Sequence, residues 1–130
     1  MRYKVGTIRN NEQIRYQNKS RACMIEDGGS TVCIDPSLTL LSLIGKRYTM
    51  MVLGVIGNRG NRNNFNEILR DIPYSSSTII SRRLKELREF GLIQRSEGVD
   101  GVTYSLTLFG QKVRDSLLPL LHLVESTSLD

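Results

Sequence analysis

Between Ser75 and Ser96 the chain reads SSSTIISRRLKELREFGLIQRS, with hydroxyls at the front, cations along one side and a glycine where the pattern stops. Ser75, Ser76, Ser77, Thr78 and Ser81 are short side chains that donate and accept, and Arg82 and Lys85 place charge behind them. A helix starting near Ser76 carries unpaired backbone N–H groups in its first turn and the positive end of the helix dipole, and both favour phosphate. Small side chains let a backbone come close, and arginine is the commonest partner of guanine edges in a major groove. Each part has an ordinary explanation when taken alone. A serine run is often only a cap and turn, and SRRLKELRE can be a solvated face. The flanking elements decide between these explanations.

Laid out at about 100° per residue, this segment gathers Ile80, Leu84 and Leu87 on one side, with Ile79 and Phe90 at the edge. Thr78, Arg82, Lys85 and Glu89 fall opposite, with Ser75 near them and Ser81 on the flank. Ser76 is the expected N-cap and Gly91 a left-handed C-cap. Upstream, NFNEILRDI predicts a short helix capped by Asn64, with Phe65, Ile68, Leu69 and Ile72 turned inward, and Pro73 stops it. Downstream, LIQRS and VTYSLT alternate as strands around the glycine-containing loop EGVDG. Thr107 can then cap a last helix, about 107–124, with an apolar stripe of Val113, Leu117, Leu120, Leu121 and Val124.

On the N-terminal side, DPSLTLLSLIG predicts a first helix capped by Asp35, with Pro36 in its first turn, Gly45 at its end and Leu38 and Leu41 on its apolar face. KRYTMMVLGVIG predicts a second, with Tyr48, Met51, Val52 and Val55 as its inward positions. Residues 1–32 are polar and aperiodic, with YKVGTI and TVCI as candidate short strands. They are expected to form a basic arm that is flexible or ordered by a partner, with the domain proper at 33–130.

The predicted order is α-α-α-α-β-β-α: mostly helical with one small β-hairpin. Two short helices across a tight turn, followed by a two-stranded hairpin, define a winged helix-turn-helix. Charge agrees with a polyanionic partner. The net charge is +5, with +5 over residues 1–21, −1 over 22–58, +4 over 59–95 and −3 over 96–130.

Other classes fare poorly. An enzyme is not expected, because there is no glycine-rich phosphate loop after a strand, no credible triad and only one histidine, His122. The same histidine count and the lack of a CxxC pair argue against bound metal, and no cofactor is implied. No apolar run reaches the ~20 residues of a membrane span. MRYKVGTIRN has no apolar core behind its cations, so a signal peptide is not expected, and the chain is expected in the cytoplasm. Cys23 and Cys33 are then expected as reduced thiols. Placed just ahead of the first helix, Cys33 would feel that helix's dipole, with Asp35 acting in the opposite sense.

CIDPSLTLLSLIGKRYTMMVL from Cys33, then NFNEILRDI, ISRRLKELREFGLIQR and VTYSLTLFGQKV, resemble the HxlR-type transcriptional regulators, winged-helix relatives of the MarR group. The resemblance covers residues 33 to about 124. It implies a homodimer that binds a partly palindromic double-stranded DNA operator and regulates a nearby gene. Ser76, Ser77, Thr78, Ser81 and Arg82 match recognition-helix positions, Arg95 matches the arginine that leads into the wing, and Cys33 matches a cysteine that some members use to sense oxidants or electrophiles. There are departures. Arg47 stands where the family usually has tryptophan, Thr78 replaces a common lysine and so removes a phosphate contact, and the wing is acidic at Glu97 and Asp100.

The terminal stripe, Val113, Leu117, Leu120, Leu121 and Val124, has little chain left to cover it, which marks an expected dimer interface with Leu38 and Leu41 as companions. A twofold dimer would hold its reading helices about 34 Å apart, one DNA turn. The competing reading is a winged-helix module that binds protein and not DNA, which the acidic wing and Thr78 would suit.

Overall fold

The computed structural model describes residues 22–60 and 62–128. They form two units that part between Ser42 and Leu43. The first holds an antiparallel hairpin, β1 (Cys23–Asp27) and β2 (Ser30–Ile34), followed by the start of α1 (Thr39–Ile44). Gly28 turns the hairpin at φ 58°, and the Ser30 hydroxyl donates to the Asp27 carbonyl at 3.0 Å. TVCI is thus a strand, within β2. YKVGTI and the basic residues of 1–21 lie outside the described residues.

Register sorts the hairpin's side chains. Cys23 pairs with Ile34 and Ile25 with Val32, while Met24 pairs with Cys33. Successive residues of a strand face opposite ways, so Cys23 and Cys33 stand on opposite faces of the ladder. Both thiols are free, and they cannot bridge each other without a register slip.

Asp35 does not cap a helix. Its carboxylate takes the Ser37 N–H at 2.9 Å and the Ser37 hydroxyl at 2.7 Å, an Asx turn, and α1 begins only at Thr39. A short acidic side chain preceding Pro-Ser closes that local ring more readily than it waits for a helix. Cys33 is therefore six positions from the helix start, too far to feel its dipole.

The second unit contains α2 (Thr49–Ile56), α3 (Phe65–Asp71), α4 (Ser77–Glu89), β3 (Ile93–Gly98), β4 (Gly101–Leu106) and α5 (Leu108–Ser128). Its core joins Leu43, Val52, Leu53 and Ile56 to Ile68 and Ile72, to Ile80, Leu84 and Leu87, and to Leu92 and Ile93. The four helices α1–α4, the β3–β4 hairpin and α5 follow the expected order, with β1–β2 added in front.

The inward face of α2 differs from the expectation. Met51 is 52% exposed, and the buried set is Thr49, Val52, Leu53 and Ile56. Both sets have helix spacing, and TMMVLGVI is apolar nearly all round, so periodicity alone could not choose the phase. Thr49 is fully buried and its hydroxyl has no hydrogen-bond partner. Thr49→Val keeps the shape and removes that desolvated group, so it should raise unfolding stability by about 1 kcal/mol in a denaturant titration.

α5 starts where Thr107 caps it, as expected. The Thr107 hydroxyl accepts the Gly110 N–H at 3.0 Å, and it donates to the Gly91 carbonyl at 2.6 Å. The helix continues past Val124 to Ser128 and runs through Pro119. Arg114 fastens it to α2, with Nε donating to the Gly54 carbonyl at 2.9 Å.

Candidate nucleic-acid interface

Asn64 caps α3, accepting the Glu67 N–H at 2.9 Å, while the Glu67 carboxylate reaches back to the Asn63 N–H at 2.7 Å. These reciprocal bonds start the helix cleanly. After Ile72 the chain turns through Pro73 and Tyr74, with Tyr74 at φ 68°. The Ser75 hydroxyl closes the turn on the Ile72 carbonyl at 2.6 Å. Ser76 then caps α4 through the Ile79 N–H at 3.3 Å.

α4 is two-sided. Ile80, Leu84 and Leu87 are buried, whereas Ser76, Ser77, Thr78, Ser81, Arg82 and Lys85 are all exposed on or beside one face. Gly91, at φ 76°, ends the helix, with the Leu92 N–H returning to the Leu87 carbonyl at 2.9 Å.

Arg83 is the cation that sequence reasoning passed over. It is 9% exposed, its Nε donates to the Arg47 carbonyl at 2.8 Å, and its Nη1 meets Glu86 at 2.8 Å. Glu86 also receives Lys46 at 2.6 Å. Burial pushes the Glu86 carboxyl up, but the hydrogen bonds from Lys46 and Arg83 outweigh it and hold it below the ordinary glutamate value. The network therefore stabilises the fold above the ordinary glutamate range and is lost as pH falls through the lowered value. It ties the inner side of α4 to the segment between α1 and α2.

The wing is the β3–β4 hairpin, turned at Val99–Asp100. Arg95 sits on β3 opposite Tyr104, away from the α4 residues in sequence and element, and its guanidinium is paired with Glu97 at 2.6 Å. That hydrogen bond raises its already high pKa, so Arg95 stays charged and a phosphate must compete with Glu97 for it. Asn63 joins the wing to the helices: its carbonyl accepts the Tyr104 N–H at 3.0 Å, and its side chain donates to the Ile56 carbonyl at 2.7 Å.

Tyr74 lay outside the sequence argument, and Tyr48, expected as an inward helix position, stands instead at the N-cap of α2 in the left-handed region at φ 70°. Tyr74 is 98% exposed. Tyr48 donates its hydroxyl to the Tyr74 carbonyl at 2.9 Å, and Arg47 lies over the Tyr48 ring at 5.0 Å. Helical periodicity carries no signal for residues in a turn. Among the described residues no group of histidine, cysteine and acidic side chains could hold a metal ion, and no helix is long and apolar enough to cross a membrane. In the expected dimer stripe, Val113, Leu117 and Leu121 are half-buried, while Leu120 and Val124 are exposed, as is Leu123 beside them. Leu38 is half-buried and Leu41 exposed. Cys33 is half-buried, with its Sγ 3.3 Å from the Met24 sulfur.

A capped helix pair across a tight turn, with the second helix bare on its polar side and a hairpin behind it, defines a winged helix-turn-helix. The family model for the HxlR-like helix-turn-helix matches residues 43–128, and the chain belongs to that family. A crystal structure of a possible HxlR family transcriptional factor from Thermoplasma volcanium GSS1 superposes with TM-score 0.79 at 45% identity, over 84% of this chain and 99% of that one. The HTH-type transcriptional regulator YodB of Bacillus subtilis (strain 168) is 34% identical over 83 residues, which span 61% of this chain and 70% of YodB. A MarR-family transcriptional regulator from Porphyromonas gingivalis W83 superposes with TM-score 0.57 at 25% identity, over 82% of this chain and 96% of that one. These relatives are regulators of transcription and not enzymes, so DNA is the partner that the family implies.

Proposed function

We propose that the chain works in the cytoplasm as a homodimer that binds a partly palindromic operator, with α4 of each subunit in a major groove. The observation that carries this reading is the two-sidedness of α4: its apolar side is buried, while Ser76, Ser77, Thr78, Ser81, Arg82 and Lys85 are exposed. Short hydroxyl side chains around the capped N-terminus suit phosphate and base edges, and Arg82 suits guanine. Leu120, Leu123 and Val124 leave an exposed apolar stretch on α5 that supports pairing through this helix. Arg95 is a secondary contact, reached by exchanging Glu97 for a phosphate.

Binding to duplex from upstream of its own gene should weaken steeply with salt, because each phosphate neutralised releases condensed counterion, giving a log–log slope of about −0.9 per contact. Fluorescence anisotropy across a salt series measures that slope. Affinity no greater than for random duplex at every salt concentration would favour a protein-binding module instead.

A further inference from the structure

We propose that Tyr74 is a DNA-contacting residue, with its phenol set against the sugar-phosphate backbone at the edge of the groove that α4 enters, and with Arg47 supplying charge beside it. This rests on the reading of α4 as the groove helix.

Tyr74 carries two burdens that the isolated fold does nothing to justify. Its backbone is in the left-handed region at φ 68°, where a bulky residue is strained and glycine is not. Its ring is 98% exposed, so the strain is not offset by packing. Such outliers persist where the surroundings hold them and a function uses them.

The surroundings do hold this one. The Tyr74 carbonyl accepts the Tyr48 hydroxyl at 2.9 Å. On one side of the turn, the Ser75 N–H and hydroxyl both return to the Ile72 carbonyl. The backbone is pinned while the side chain stays free, two positions before the Ser76 cap.

The clamp is itself part of a cluster. Tyr48 is also left-handed, at φ 70°, and its ring lies under the exposed Arg47 guanidinium at 5.0 Å. One tyrosine therefore connects an exposed cation to the carbonyl of an exposed tyrosine just ahead of α4. A phenol donates to a phosphate oxygen and lays its ring on deoxyribose, and a guanidinium neutralises the next phosphate. Contacts of this kind fix register on the duplex without reading sequence.

The test compares wild type, Tyr74→Gly and Arg47→Ala by thermal melting and by anisotropy on the upstream duplex and on random duplex, across a salt series. Tyr74→Gly should melt at or above the wild-type temperature, because glycine accepts the left-handed backbone. It should nevertheless bind both duplexes about tenfold more weakly, the equivalent of about 1.4 kcal/mol and one good hydrogen-bonded contact. Its salt slope should be unchanged, since no charge is lost, whereas Arg47→Ala should flatten the slope by about one unit. Undiminished binding by Tyr74→Gly overturns the inference alone, and so does weaker binding that merely follows a lowered melting temperature. Wild-type protein that ignores duplex DNA sinks the reading of α4, and this inference with it.

Discussion

Replacing Gly110 by alanine should cost the fold about 3 kcal/mol, the upper end of what forced overpacking normally costs. The added Cβ would stand 1.8 Å from the Leu92 carbonyl oxygen and 2.8 Å from its carbon. No rotamer relieves this, because both partners are backbone. Leu92 is fully buried, and its carbonyl already accepts the Thr107 N–H at 3.0 Å and shares the Thr107 hydroxyl proton, at 3.1 Å, with the Gly91 carbonyl. Moving the strand entry away from α5 would break those bonds and loosen the cap. Gly54→Ala is the control: its Cβ would meet nothing within 4 Å, and alanine favours a helix interior by up to about 1 kcal/mol over glycine. Urea unfolding of the two variants should therefore move in opposite directions. A Gly110→Ala midpoint equal to wild type would mean that α5 does not pack against Leu92 this closely in solution.

Arg82→Ala should lower operator affinity by ~1–3 kcal/mol, about tenfold for each 1.4 kcal/mol, and relax base preference at one position per half-site. Arg82 is exposed on α4 and forms no ion pair among the described residues, so its loss should leave folding stability within about 0.5 kcal/mol of wild type. Its neighbour makes the contrast. Arg83 is buried and bonded to Arg47 and Glu86, so Arg83→Ala should weaken the fold before it says anything about DNA. Selection of binding sites from a randomised duplex pool measures the preference directly. If Arg82→Ala selects the same half-site as wild type with equal affinity, a different residue reads the base.

The helix-turn-helix was legible because its sequence signals are local and agree with one another. Asn64, Pro73, Ser76 and Gly91 mark ends, and α4 alternates sharply between apolar and charged sides. α2 was legible only as a helix, since an all-round apolar run leaves the buried phase to tertiary packing. Asp35 misled for a related reason: capping and Asx turns draw on the same side chains, and the geometry that follows decides between them. The β1–β2 hairpin was legible only at TVCI, because CMIED shows no apolar–polar alternation that would mark it as a strand. Which side of α4 faces outward could be read from the residues. Tyr74 and Gly110 could not, because one depends on a backbone angle and the other on an approach between segments far apart in sequence.

Asn63 spans three elements, with its carbonyl on the wing strand β4, its amide nitrogen on α3 and its side chain on the end of α2. The β3–β4 hairpin is therefore riveted to the reading head and cannot swing on its own like a flap. A duplex that touches both α4 and the loop at Val99–Asp100 would meet a pair of elements braced through Asn63, so a mismatch in shape would be taken up by the nucleic acid. Operators rich in easily kinked pyrimidine–purine steps at the outer flank would then be favoured at bases that no side chain reaches.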